Sequence, residues 1–319
     1  MHIRACTAMT ASEQSKLAVR RGLRFLRDNQ LPYGEFRTYA SPSIDMRRTF
    51  FDSSIFATTF VLHSIAGIGH PYVTVMTDKV ISFLTKEMCG PGLFQYFTSK
   101  NARSIDFDLD CTACASVALQ RSHPFIMRGY NIRYFVENRN EAGLFYTWVG
   151  NAALANNVDS VVNANVVLYL GDREETKSAC QYLVDTIKCS HESESYQYYL
   201  DNIALYYAVS RAYTRGASSL SEAREAVIEK VLQSSKDDGS FGDELTTACA
   251  VCTLANFEYD GVTRFRDAAS YLEEQQRADG SWHRAPMWTA RFRESSLYFG
   301  SEELTTALCL EALTHVAAR

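Results

Sequence analysis

The chain has 319 residues, 46% hydrophobic and 22% charged, enough for one large core or two modest ones, and this excludes a disordered, collagenous or low-complexity protein. Its 32 Lys+Arg against 37 Asp+Glu give a formal net charge of -5, which excludes a global positive field able to hold nucleic acid or an anionic membrane. No apolar run approaches the ~18 residues of a membrane span, and the start MHIRACTAMTASEQSKLAVR lacks the apolar core of a secretory signal, so a soluble cytoplasmic protein with no transmembrane segment is expected.

A hydrophobic pair followed by Gly-x-aromatic recurs along the chain. It runs from Phe25-Leu26 with Gly34/Phe36, through Phe83-Leu84 with Gly92/Phe94 and Phe135-Val136 with Gly143/Phe145, to Val231-Leu232 with Gly239/Phe241 and Tyr271-Leu272 with Gly280/Trp282. The pattern predicts a helix ending on its apolar face, a glycine turning with positive φ, and an aromatic plugging the next layer. The unit around Tyr182-Leu183 lacks the glycine.

A second element follows each of these. DSSIFA from Asp52, DLDCTA from Asp108, DSVVNA from Asp159, DNIALY from Asp201, DELTTA from Asp243 and EELTTA from Glu302 align as six helix starts led by an acid, as suits an N-cap and the positive end of a helix dipole. Ala113/Leu119, Ala164/Leu170, Ala248/Leu254 and Ala307/Leu313 continue four of them, the small residue allowing close approach around an axis. Six inner and six outer helices at about 53 residues per pair predict an all-α fold, a single (α/α)6 barrel or toroid of six helical hairpins, with residues 1–319 as one domain. The 18 Tyr, 18 Phe and 3 Trp can line whatever cavity the ring encloses. The nine cysteines fit free thiols, and the pairs Cys111/Cys114 and Cys249/Cys252 lie in alanine-rich helical stretches rather than on turns that converge on one ion, so no metal site is expected.

The third position of the aligned starts carries the functional signal: Ser54, Asp110, Val161, Ile203, Leu245 and Leu304. Asp110 alone puts a carboxylate there, with Asp108 two residues before it and Asp106 two before that. Desolvation and a neighbouring negative charge both disfavour ionisation, which makes Asp110 a candidate general acid.

The stretch Asp108-Leu109-Asp110-Cys111-Thr112-Ala113 resembles the Asp-x-Asp-Asp-Thr-Ala (DxDxT-type) signature of class II terpene cyclases, with an Asp-Cys-Thr-Ala core like that of oxidosqualene cyclases. Gln275-x4-Gly280-x-Trp282 is similar to the Gln-Trp repeat of the same superfamily, which includes the squalene-hopene cyclases and the protein prenyltransferase β subunits. The resemblance implies a proton-initiated, carbocationic ring closure of an isoprenoid by an isomerase or intramolecular lyase. Asp110 would protonate a terminal alkene or epoxide, Asp108 would orient and polarise it, and Cys111 and Thr112 would hydrogen-bond it or complete the helix start. A single toroid is similar to stand-alone cyclases such as drimenyl diphosphate synthase, implying a short C15 or C20 substrate, a prenyl diphosphate such as farnesyl diphosphate in sesquiterpene biosynthesis.

Aromatic faces would steady the cation. Phe94, Tyr96, Phe97, Tyr146, Trp148, Trp288 and Tyr298 are the candidates from the segments before the inner helices. Arg47, Arg48, Lys100, Arg103, Arg284, Arg291 and Arg293 are candidates for a diphosphate. Protonation would need no cofactor, while a diphosphate would bring Mg²⁺. A downstream phosphatase and a homo-oligomer are compatible partners beside the small-molecule substrate. Alternative readings are a non-catalytic isoprenoid-binding or partner-binding toroid, a protein prenyltransferase β-like subunit, for which no Asp-x-Cys zinc pair is present, and an inverting glycosidase on the same barrel.

Overall fold

A computed structural model describes residues 11–150, 156–291 and 295–319. In chain order the first half holds α1 (Ala11–Asn29), β1 (Tyr39–Ser41), β2 (Phe50–Phe51), α2 (Ile55–Ile65), α3 (Pro71–Glu87), α4 (Leu109–Leu119), α5 (Pro124–Met127) and α6 (Ile132–Glu137). The second half holds α7 (Ser160–Leu170), α8 (Lys177–Lys188), α9 (Glu192–Ser195), α10 (Asn202–Thr214), α11 (Arg224–Gln233), α12 (Glu244–Asn256), α13 (Val262–Gln275), β3 (Pro286–Arg291), β4 (Ser296–Gly300) and α14 (Glu302–Ala317).

The helices α2, α4, α7, α10, α12 and α14 each pack on the next, and α14 packs back on α2, so they form a closed inner ring. They are apolar on all sides, and every residue of α7 is buried, as a helix enclosed between a ring and an outer layer must be. Around them run α1, α3, α8, α11 and α13, with polar outer faces. The result is the expected all-α toroid with two departures. The outer element of the third unit is broken into the short helices α5 and α6. At one rim a small antiparallel sheet ordered β2-β1-β4-β3 joins the first and last units.

The Gly-aromatic turns behave as predicted. Phe36, Phe94, Phe145 and Trp282 are fully buried and Phe241 is nearly so. The turn glycines all have positive φ, from 82° at Gly143 to 110° at Gly34. At Gly280 a Cβ would also stand 2.5 Å from the carbonyl oxygen of Arg21, so the turn is pressed against the outer helix of the next unit. A polar side chain of the following inner helix then clamps the aromatic's backbone. The N–H groups of Phe36, Phe94, Phe145, Phe241 and Trp282 donate to Thr58, Thr112, Asn163, Thr247 and Thr306 at 2.9, 3.2, 2.9, 3.0 and 3.2 Å.

This clamp fixes the true register of the repeat. Asp108, Asp159, Asp201 and Asp243 are N-caps as expected, accepting backbone N–H groups of their own helices. Asp52 is not a cap. Ser54 caps α2, so in the first unit the third position is Phe56 rather than Ser54. Ser301 rather than Glu302 caps α14, which gains one residue at its start. Asp110 remains the one acid at the third position.

Trp282 closes the ring energetically as well as geometrically, its indole N–H donating to the carbonyl of Leu272 at 2.7 Å. Trp282→Ala is expected to cost about 3–5 kcal/mol through lost burial and a cavity, and Thr247→Val about 1 kcal/mol through the lost clamp. Denaturant unfolding checks both, and an unmoved midpoint for Trp282→Ala would contradict this packing.

Candidate active site

The N-terminal ends of the inner helices open into a cavity of about 560 Å³ whose lining includes Asp108 and Asp110. Asp108 enters as the N-cap of α4, its Oδ1 accepting the Cys111 N–H at 2.6 Å, while its Oδ2 is buried with no hydrogen-bond partner. That cap directs Asp110, in the first turn of the helix, into the ring, where its side chain is 7% exposed. The Asn165 amide donates to Asp110 Oδ1 at 2.7 Å and the Tyr199 hydroxyl to Oδ2 at 2.8 Å. Asn165 lies on α7, and its own Oδ1 accepts from the buried Arg211 of α10 at 2.7 Å.

Burial pushes the Asp110 carboxyl up to about 7, with the adjacent Asp108 adding to the shift and the two donors opposing it. Burial likewise raises Asp108 to about 6. Asp110 is thus a carboxylic acid that keeps its proton near neutrality, yet whose conjugate base has a donor on each oxygen. Such a group can release a proton to a weak base held in the cavity.

The walls are aromatic: Phe56, Tyr96, Phe97, Trp148, Tyr198, Trp288 and Phe299 all line the space. Their polar edges are tied to one another, Trp288 Nε1 donating to the Tyr96 hydroxyl and Trp148 Nε1 to the Tyr198 hydroxyl, each at 3.0 Å. Phe56 packs edge-on to Trp288 with ring centroids 5.1 Å apart. Antiparallel bridges Asp108↔Trp148 and Tyr199↔Trp288 stitch the loops of neighbouring units at the rim and carry these rings beside the acid.

Of the residues expected at the site, Asp108, Asp110, Cys111, Tyr96, Phe97, Trp148, Trp288, Arg103 and Arg291 line the cavity. Thr112 does not, because its hydroxyl is committed to the backbone of Phe94. Phe94 is the fully buried plug of the repeat and also lies behind the wall. Tyr146 is absent from the lining, and so is Tyr298, since the alternation of β4 turns Leu297 and Phe299 inward instead.

The cations do not converge. Arg47 is exposed beside Asp45, Arg48 is exposed, Lys100 lies over the Tyr33 ring at 4.6 Å, and Arg284 pairs with Glu302 at 2.8 Å. Arg103 pairs with Asp52 and stacks 4.4 Å from the Phe97 centroid. Arg293 lies outside the described residues.

Residues that the repeat alignment passed over include Tyr199, Asn165 and Arg211. Asn165 and Arg211 are polar interruptions of the apolar helices SVVNANVVLYL and NIALYYAVSRAYT, the same kind of signal that exposed Asp110. Tyr198 and Tyr199 come from the one unit without a glycine turn, whose loop is instead braced by Asp159 Oδ2 accepting the N–H groups of Gln197 and Tyr198 at 2.6 and 3.3 Å.

Among the described residues, one group brings metal-ligating atoms together, Cys252, Glu311 and His315, within 4.8 Å of one another. None of the three lines the cavity of the acid. No helix among the described residues is long and apolar enough to cross a membrane.

The sequence matches no family profile and no characterised relative. The fold, in contrast, has solved counterparts. The type II terpene cyclase MstE from Scytonema in complex with its product merosterolic acid A superposes with a TM-score of 0.76 at 16% identity, over 97% of this chain and 98% of that one. The R337A variant of MstE in complex with its substrate geranylgeranyl dihydroxybenzoate gives a TM-score of 0.74 at 16% identity, over 97% and 99%. A protein from Actinoplanes gives 0.74 at 19% identity, over 96% and 100%. The ent-copalyl diphosphate synthase from Streptomyces platensis gives 0.61 at 16% identity, covering 83% of this chain and half of the larger enzyme. The chain therefore has a class II terpene cyclase-like fold.

A carboxyl at 3.8 in the unfolded chain and about 7 in the fold keeps a proton in the native state that the unfolded state has lost, so stability falls as pH rises through that interval. Asp110→Asn should remove this term and raise Tm by several degrees at pH 8, with the gain shrinking towards pH 4. Thermal melts across that range check it, and a variant less stable at both ends would contradict it.

Proposed function

We propose that the chain is a class II terpene cyclase, folded as a single (α/α)6 domain over residues 1–319, in which Asp110 is the general acid. The observation that supports this most directly is a buried, proton-holding carboxyl at an aromatic-walled cavity. Asp110 transfers its proton to the less substituted carbon of a terminal alkene, or to an epoxide oxygen. The tertiary cation left behind is attacked by the next alkene along the prefolded chain, and loss of a proton from the last cation completes the balance, so substrate and product are isomers.

Each part of the site has a role in that sequence. The donors on both oxygens of Asp110 stabilise the carboxylate as it forms, which strengthens the acid. The aromatic faces attract the travelling charge and keep water from quenching it. Asp108 positions the first turn of α4, and Cys111 fills the wall beside it.

A cavity of about 560 Å³ suits one C15 or C20 chain, and the similar Scytonema enzyme is seen with a geranylgeranyl compound. Arg103 and Arg291 are the described cations on the lining and the ones available to a diphosphate or other anionic head group. The Mg²⁺ that accompanies a diphosphate finds no carboxylate cluster among the described residues of this cavity, and no step is derived through it.

Incubation with farnesyl and geranylgeranyl diphosphates, with product mass spectra, tests the assignment. Asp110→Asn should lower kcat by about 10³-fold or more with little change in substrate binding, and wild-type activity should fall about tenfold per pH unit above the Asp110 value near 7. An Asn variant that keeps full activity, or an enzyme that turns over no polyprenyl substrate, would defeat the reading. Asn165→Ala should reduce kcat by about 10-fold while KM stays nearly constant, because the lost donor serves the carboxylate formed in the transition state.

A further inference from the structure

The opposite end of the ring, where the inner helices finish, holds a second cavity of about 410 Å³ that is separate from the first. Its floor is Arg211 and its rim carries Arg121 and Arg215, with His63 on the wall and no carboxylate anywhere on the lining. Arg211 decides what this space is for. It is 2% exposed, yet among the described residues no carboxylate lies within ion-pair distance of it. One nitrogen donates to Asn165, the guanidinium carbon stands 4.5 Å from the Phe60 ring centroid and 4.8 Å from that of Tyr207, and its Nε has no hydrogen-bond partner.

A buried guanidinium with an unfilled donor costs several kcal/mol unless a counter-charge is supplied. The nearest acid, Glu311 of α14, takes the Tyr207 hydroxyl on Oε2 at 2.7 Å instead of bonding Arg211. The cationic field of this end also shows in its neighbours. Burial and Arg211 hold His63 down at about 4, and burial and Arg121 hold Arg215 below its ordinary range.

The rim arginines have a partial explanation of their own, since Arg121 follows α4 and Arg215 caps α10, where positive charge offsets free helix carbonyls. Arg211 has none, because it lies inside α10 and none of its nitrogens donates to a carbonyl. Three arginines around a cavity with no acid on its wall present the fork-like donors that match phosphate oxygens.

We propose that this second cavity binds a small polyvalent anion of the phosphate class, inorganic phosphate or diphosphate, with Arg211 at its base and Arg121 and Arg215 closing over it. The site is independent of the cyclase reading, since nothing in its chemistry uses Asp110.

Calorimetric titration of the purified full chain, in a phosphate-free buffer of fixed ionic strength, with inorganic phosphate and separately with diphosphate, tests it. One anion per chain is expected, at a Kd near 1 mM or tighter for at least one of the two, and the arm that saturates names the anion. Arg121→Gln combined with Arg215→Gln, both exposed positions, should weaken binding about 10-fold or more, with the melting temperature as a control for folding. Arg291→Gln, at the other cavity, should leave it unchanged. Absence of saturable binding in both arms, an unaffected double variant, or loss of binding in Arg291→Gln would each overturn the proposal.

Discussion

The structure turns on one unfavourable act, the removal of the Asp110 carboxyl from water. Near a helix N-terminus the local field favours a carboxylate, and the two donors on Asp110 favour it further. Burial nonetheless wins and carries the group to about 7. An ionised Asp110 therefore costs the fold a few kcal/mol at high pH, and three separate elements must hold it in place: the first turn of α4, Asn165 from the middle of α7, and Tyr199 from the loop before α10. A fold that accepts such a cost at one point needs a stiff frame around it.

The repeat supplies that frame. Each glycine turn presses on the neighbouring outer helix, each aromatic fills the layer beneath, and a Thr or Asn of the next inner helix pins its backbone. Because the clamps are the same from unit to unit, the loops at one rim can differ without loosening the ring. Those loops bring the aromatic walls to the acid, while the other end of the ring is basic. Arg211 spans the two: it steadies Asn165 on the side of Asp110 and faces the second cavity on the other. The cationic end thus backs the acid through one amide.

Much of this was legible in the sequence because repeats make exceptions visible. Asp110 stood out as the acid in a column of apolar and small residues, and the glycines and aromatics lie where the pattern put them. Asn165 and Arg211 obeyed the same rule one and three turns further along their helices, outside the column that was compared. Aligning the units on their leading acids misplaced the first, where Ser54 is the cap. The threonine clamp would have corrected it, but it becomes meaningful only once its backbone partner is known. The sheet was out of reach for a different reason: Ala40 pairs with Phe299, a contact between the two ends of the chain made by strands too short to show a period. The arginines failed as site markers because long cationic side chains settle by local pairing, as Arg284 does with Glu302 and Arg103 with Asp52.

The central claim, that Asp110 delivers a proton to carbon to begin ring closure, is tested most directly by turnover in D2O with mass spectrometry of the product. The wild-type protein should place one solvent deuteron on the carbon protonated first in every cyclised molecule, and Asp110→Asn should yield no cyclised product. Cyclic product free of deuterium from the wild type, or labelled product formed equally well by the Asn variant, would contradict it.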